Sequence, residues 1–182
     1  MKNKVIIITG ASSGIGRACA LELSKKGARL VLVSRTESKL IELNEFINEQ
    51  DGNSIYVVAD VSQESDCIQV IAKTIKIYGE IDILINNAGI SMRALFSDLN
   101  LSVFEKVMKV NFYGTVYCTK HALQYILKNK GSVVGVSSIA GHKGLPARTA
   151  YSASKFAMTG FLEALRIENL KNNLHVLIAS PG

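Results

Sequence analysis

Two hydrophobic periodicities alternate along the chain. Residues 5–8 form an unbroken β-branched run closed by Thr9-Gly10, and 30–33, 55–59, 81–85, 133–136 and 176–179 repeat the form. Such short apolar runs predict strands buried on both faces, as in a parallel sheet. Between them the apolar residues recur at helical spacing. The first helix is predicted over 14–26, with Ile15, Ala18, Cys19 and Leu23 on one face and Gly27 as its stop. Helices are also predicted over 36–50 and from a Ser62 cap to residue 78, where Gly79 ends the pattern. Ser102-Val103-Phe104-Glu105 has the form of a capping box and opens a long helix to residue 128, carrying Asn111 inside it. The last helix is predicted over 151–171. Strict alternation of strand and helix predicts a three-layer α/β domain whose parallel sheet has helices on both faces. Right-handed crossovers then give a doubly wound sheet of order 3-2-1-4-5-6. Nothing marks a linker or a second domain, so residues 1–182 read as one domain.

Composition changes this picture little. Of 182 residues, 48% are hydrophobic and 20% charged, which is ordinary for a globular chain. The formal charge of +6 is spread along the sequence with no massed basic run. A solvated basic surface that suits an anionic ligand is expected, and no nucleic-acid partner. Cys19, Cys67 and Cys118 make no Cys-x-x-Cys pair, and they form no metal-ligand pattern with His121, His142 and His175. They read as reduced thiols in a reducing compartment. The apolar run after Met1-Lys2-Asn3-Lys4 is too short for a leader, and no later run is long enough to span a bilayer. A cytoplasmic location without membrane contact is expected.

The candidate chemistry sits at the predicted strand ends. Gly10, Ser12, Ser13, Gly14, Ile15 and Gly16 follow the first strand and open the first helix in a G-x-x-x-G-x-G spacing. Glycines there permit a tight turn and close approach of a ligand, and the free helix-start N–H groups make an anion site. Ser34-Arg35 ends the second strand. An acid at this point of a dinucleotide fold binds ribose hydroxyls, whereas an arginine accommodates a 2′-phosphate, so NADP(H) is expected over NAD(H). Asp60, followed by Val61, can accept from the adenine amino group or simply begin a turn. Asn86-Asn87-Ala88-Gly89 offers small residues against which a flat cofactor can lie. Asn111 is unusual inside a helix, where it can hold a water through its side chain or a freed carbonyl. Ser138 follows the fifth strand. Tyr151 and Lys155 are four residues apart and share one helical face. A tyrosine pKa of about 10 suits general catalysis poorly, and a neighbouring cation favours the phenolate.

Thr9-Gly10-x-x-x-Gly14-x-Gly16, Asn86-Asn87-Ala88-Gly89, Asn111, Ser138, Tyr151-x-x-x-Lys155 and Pro181-Gly182 occur in this order over essentially the whole chain. Together they resemble the short-chain dehydrogenase/reductase family in its single-domain branch. The resemblance implies a Rossmann-fold oxidoreductase moving a hydride between nicotinamide and a carbonyl or alcohol carbon. It implies that Tyr151 is the acid in reduction and the base in oxidation. Lys155 would lower its pKa and bind the nicotinamide ribose, and Ser138 would hold the substrate oxygen. Asn111 would position a water that relays the proton through Lys155, and Pro181-Gly182 would pack beside the nicotinamide. The resemblance also implies a homodimer or homotetramer, a further substrate-covering segment and a seventh strand, neither of which lies within these 182 residues. The run 144–151 is similar to branches acting on hydrophobic ketones and steroids, with a 3-oxoacyl thioester as the alternative substrate. Two other classes fit parts of the pattern. A non-catalytic dinucleotide sensor needs the glycine turn but not Ser138, Tyr151 and Lys155 together. A methyltransferase ordinarily needs an acid after the second strand, where this chain has Ser34-Arg35.

Overall fold

A computed structural model describes all 182 residues. The chain alternates β1 (Val5–Thr9), α1 (Gly14–Lys25), β2 (Arg29–Ser34), α2 (Glu37–Asn48), β3 (Asn53–Val58), α3 (Glu64–Tyr78) and β4 (Ile83–Asn86). It continues with α4 (Leu101–Met108), α5 (Gly114–Lys128), β5 (Ser132–Val136), α6 (Thr149–Glu168) and β6 (His175–Ala179). The six strands form one parallel sheet of order β3-β2-β1-β4-β5-β6. This is the doubly wound, Rossmann-like arrangement expected.

The period-2 alternation of each strand divides the core. Ile7, Val31, Leu84 and Val133 face α3, α5 and α6, whose Val70, Ile71, Ala122, Ile126, Met158 and Leu162 complete the larger cluster. Ile6, Ile8, Leu30 and Leu32 face the other way, onto Ala20 of α1 and Leu40, Leu43 and Ile47 of α2. The strand residues in both clusters are fully buried, which is why β1 and β2 read as continuous apolar runs. The smaller cluster thins beyond the middle of the sheet, where Ile85 of β4 and Val136 of β5 are its only buried members. In the register Ile8↔Ile85↔Val134↔Leu177, burial declines outward, and Leu177 is 59% exposed.

Several boundaries differ from expectation. α3 begins after Gln63, and Ser62 is held by Asp60 Oδ1, which accepts from its backbone N–H at 3.0 Å. The cap of α4 is Asn100, whose Oδ1 accepts from Ser102 N at 2.9 Å and from Ser102 Oγ at 2.8 Å. Asn satisfies the free helix-start donors as well as Ser does, and it lies two residues earlier than the capping-box reading placed the cap. The long helix is unbroken from Leu101 to Lys128, but a π turn at Lys109–Tyr113 interrupts its α pattern and joins α4 to α5. The α6 helix ends at Glu168 and gives way to a 3₁₀ turn at Leu170–Asn172, while β4 begins at Ile83.

Candidate active site at the strand ends

The loops after all six strands open onto one crevice of about 640 Å³. Its wall includes every residue singled out from the sequence as catalytic or cofactor-binding except Gly16 and Asn111, which are buried outside it. It also takes in Ser34 and Thr36 around Arg35, Ser91 beyond Gly89, and Val110 beside Asn111. None of these carries a sequence signal beyond adjacency to a motif residue.

The turn between β1 and α1 depends on backbone that passes unusually close to its neighbours. A Cβ on Gly16 would lie 2.3 Å from Gly10 O and 2.5 Å from Asn87 Nδ2. Gly10 has φ of +68° and is also crowded, with Ala88 Cα 2.9 Å from where a Cβ would sit. Asn87 ties this turn to the β4 loop by donating through Nδ2 to Thr9 O at 2.9 Å and Gly10 O at 3.2 Å. Thr9 Oγ1 completes the clasp by accepting from Asn87 N and Ala88 N, both at 3.0 Å. At the start of α1, Ser13 makes no side-chain cap and the first turn holds no acid, so its N–H groups face the crevice uncompensated.

Arg35 and Asp60 stand opposite each other at the β2 and β3 ends, 3.7 Å apart. Partial burial pushes the Asp60 carboxyl upward, but hydrogen bonds from Ser62 and the Arg35 charge outweigh it and hold its pKa below the usual carboxylate value. The Arg35 side chain remains 54% exposed.

At the other end, Lys155 is buried on α6. Its Nζ donates to Val136 O at 2.7 Å, and it has no carboxylate partner. Burial without a counter-charge lowers its pKa from 10.5 to about 8. The Nζ lies 5.8 Å from the centroid of the half-buried Tyr151 ring, so the helical spacing does bring the two side chains together. Ser138 caps a one-turn helix at Ile139–Gly141, its Oγ accepting from Ala140 N at 3.2 Å.

Asn111 lies in the π turn and is completely buried. Its Oδ1 accepts from Ile90 N at 2.8 Å, and its Nδ2 donates to Ile90 O at 2.9 Å and to Ser154 Oγ at 3.0 Å. Ser154 Oγ in turn donates to Tyr151 O at 2.7 Å. Asn111 therefore joins the β4 loop to the helix carrying Tyr151. The helical repeat hid Ser154's part in this, since a serine inside a helix has no distinguishing pattern.

The pieces fit a dinucleotide. A tight glycine turn, an unpaired helix start, and a buried lysine with two free N–H groups are arranged along one crevice. Comparison with known proteins agrees. The family model described as short chain dehydrogenase matches residues 4–182, and the chain belongs to that family. It is 41% identical over 181 residues to the 11-beta-hydroxysteroid dehydrogenase-like 3 of Arabidopsis thaliana, covering 98% of this chain and 58% of that protein. It is 39% identical over 187 residues to dehydrogenase/reductase SDR family member 7B of Mus musculus, covering 100% of this chain and 58% of the relative. The chain thus spans between half and two thirds of the length of these curated relatives. A solved structure, the alcohol dehydrogenase of the archaeon Thermococcus sibiricus complexed with 5-hydroxy-NADP, superposes with a TM-score of 0.96. It is 26% identical, and the match covers all of this chain and 77% of that one.

Proposed function

We propose that this protein is an NADP(H)-dependent oxidoreductase acting on a carbonyl or secondary alcohol. One observation carries the reading: Ser138, Tyr151 and Lys155 line the same crevice as the glycine turn and Arg35. A sensor that only bound a dinucleotide would not need Ser138 and Tyr151 together with Lys155 at the far end.

The bound cofactor would supply the hydride, and the protein supplies orientation and proton management. Gly10, Ser12, Ser13, Gly14 and Ile15 would hold the pyrophosphate, with Gly16 permitting the close turn behind them. Arg35 would take the 2′-phosphate, and Asp60 and Val61 would border the adenine. Asn87, Ala88, Gly89, Pro181 and Gly182 would border the nicotinamide half. Ser138 Oγ donates to the substrate oxygen. Tyr151 gives that oxygen its proton in reduction and takes one in oxidation. Lys155 stabilises the phenolate and binds the nicotinamide ribose through its free N–H groups. Asn111 supports a proton relay through its backbone carbonyl, which the π turn displaces from the ordinary helical pattern. Thr115 Oγ1 donates to that carbonyl at 3.1 Å.

The substrate fitting this reading is a hydrophobic ketone, steroid-like or a 3-oxoacyl thioester. The hydroxysteroid dehydrogenase names of relatives near 40% identity support the former. A homodimer or homotetramer is part of the reading, supported by Tyr113 and Phe156, which are about half exposed beside α5 and on α6. So is a cytoplasmic location, which the three free cysteines suit. No helix is long and apolar enough to cross a membrane.

Oxidation of NADPH or NADH in the presence of ketones, aldehydes and 3-oxoacyl thioesters tests this. Turnover with NADPH preferred is expected. Tyr151→Phe should lower kcat by about a thousandfold or more while NADPH still binds. Substantial turnover by Tyr151→Phe sinks the catalytic assignment, and dinucleotide binding without any turnover points to the sensor.

A further inference from the structure

The substrate end of the crevice carries a charge pattern that the roles above do not use. Two segments meet there, 83–97 after β4 begins and 137–162 after β5. They contain Arg93, Lys143, Arg148 and Lys155 and neither an Asp nor a Glu. The protein's ion pairs all lie elsewhere. Of these four cations, Lys155 lines the crevice itself, and Arg148 does not but reaches a residue that does. Its Nη1 donates to Ser91 Oγ, and Ser91 lines the crevice together with Tyr151 and Lys155. No other acceptor in the protein meets its remaining guanidinium N–H groups, although the residue is half-buried.

The placement is built by the backbone. Ala147 takes a left-handed φ of +57°, and its carbonyl accepts from Ala94 N at 3.1 Å, docking one segment on the other. Arg148 follows at once, and its carbonyl accepts from Ser152 N at 2.8 Å, fixing it to the first turn of the catalytic helix. Leu95, Phe96 and Ile139, each about half exposed or more, put apolar surface on the same two segments. A planar guanidinium with free N–H groups, in no ion pair and on segments that also carry exposed apolar side chains, matches a carboxylate on an apolar body.

We propose that Arg148 is a specificity residue that receives a carboxylate carried by an otherwise apolar carbonyl substrate, with Ser91 orienting its guanidinium. This rests on the oxidoreductase reading and narrows its substrate class. A neutral ketone would offer no carboxylate to the guanidinium N–H groups that Ser91 does not take.

The test compares a medium-chain oxo carboxylic acid with its methyl ester in NADPH-dependent reduction. Wild type should favour the acid by about ten- to a hundredfold in kcat/KM, with the difference in KM, as for loss of one charge-assisted pair. Arg148→Gln should collapse the acid-to-ester ratio toward one, and Arg148→Lys should retain part of it. A residue that only clasps the two segments would, when replaced, lower both substrates equally, and that result overturns the proposal. Calorimetry with the same two compounds decides the point without turnover. Tighter binding of the acid that Arg148→Gln abolishes supports the proposal even if neither ketone is reduced, in which case only the oxidoreductase reading fails. Equal binding of acid and ester by wild type overturns it.

Discussion

Lys155 occupies the least comfortable position of any charged residue in the molecule. It is nearly inaccessible, it has one carbonyl as partner, and its pKa is lowered to about 8 by burial. Below pH 8 the folded protein bears the full cost of the buried ammonium, about 3 kcal/mol by linkage. Between pH 8 and 10.5 the unfolded chain binds more proton at this site than the folded one, so this site's contribution makes stability rise with pH. Lys155→Met removes that cost but leaves Val136 O without its donor, a loss of about 1 kcal/mol. Urea unfolding should find Lys155→Met more stable than wild type by about 2 kcal/mol at pH 7, with the advantage gone by pH 10. A difference independent of pH would mean that burial does not displace this lysine's titration. The stability cost is what a site incurs by holding a cation ready for a partner that binds later. At this scale the sequence was informative where a residue type is unusual for its place. Tyr151 four residues before Lys155 and Asn111 inside a helix both stood out. The Thr9 hydroxyl and Ser154 did not, because their roles arise from partners 78 and 43 residues away.

Elements were legible when a buried face imposes a period. β1 and β2 are apolar runs because both their faces are covered, and the doubly wound order follows from crossover handedness. The π turn was not legible. Lys109–Tyr113 contains neither Gly nor Pro, and one added residue in the turn leaves the local hydrophobic pattern almost unchanged. Its effect on the site is nevertheless large, since Asn111 joins the β4 loop to the helix carrying Tyr151 from within it. The glycine turn is the opposite case, clear in sequence and exacting in space. Gly16→Ala places a methyl against Gly10 O and Asn87 Nδ2, both on backbone or side chain already committed to the clasp. Overpacking of this kind costs about 1–3 kcal/mol. Thermal unfolding with and without NADPH should show a lowered melting temperature and a smaller stabilisation by NADPH than in wild type. An unchanged shift with NADPH would separate the turn from dinucleotide binding.

For the molecule as a whole, the two helical layers are unequal. α3, α5 and α6 cover one face of the sheet, whereas α1 and α2 cover only the β3-β2-β1 half of the other. The uncovered half carries Ile83 and Val134, partly buried, and Leu177, largely exposed on the edge strand β6. This asymmetry was invisible in sequence because Val134 and Leu177 continue runs that look the same as those of the covered strands. β6 also presents an outer edge of unpaired N–H and C=O groups, so an apolar face and a strand edge coincide there. A polypeptide made of residues 1–182 alone should therefore associate through this corner. Light scattering should give a mass that rises with concentration above the 19.7 kDa of one chain. Leu177→Lys places a charge on the exposed face beside the edge and should suppress that rise, because desolvating a lysine against an apolar partner is unfavourable. Phe156→Lys, on the opposite layer, should leave the rise in place while weakening any discrete oligomer formed through α6. A mass for Leu177→Lys that climbs as steeply as wild type would move the association away from β6, and loss of the rise in Phe156→Lys alone would place it on the helices.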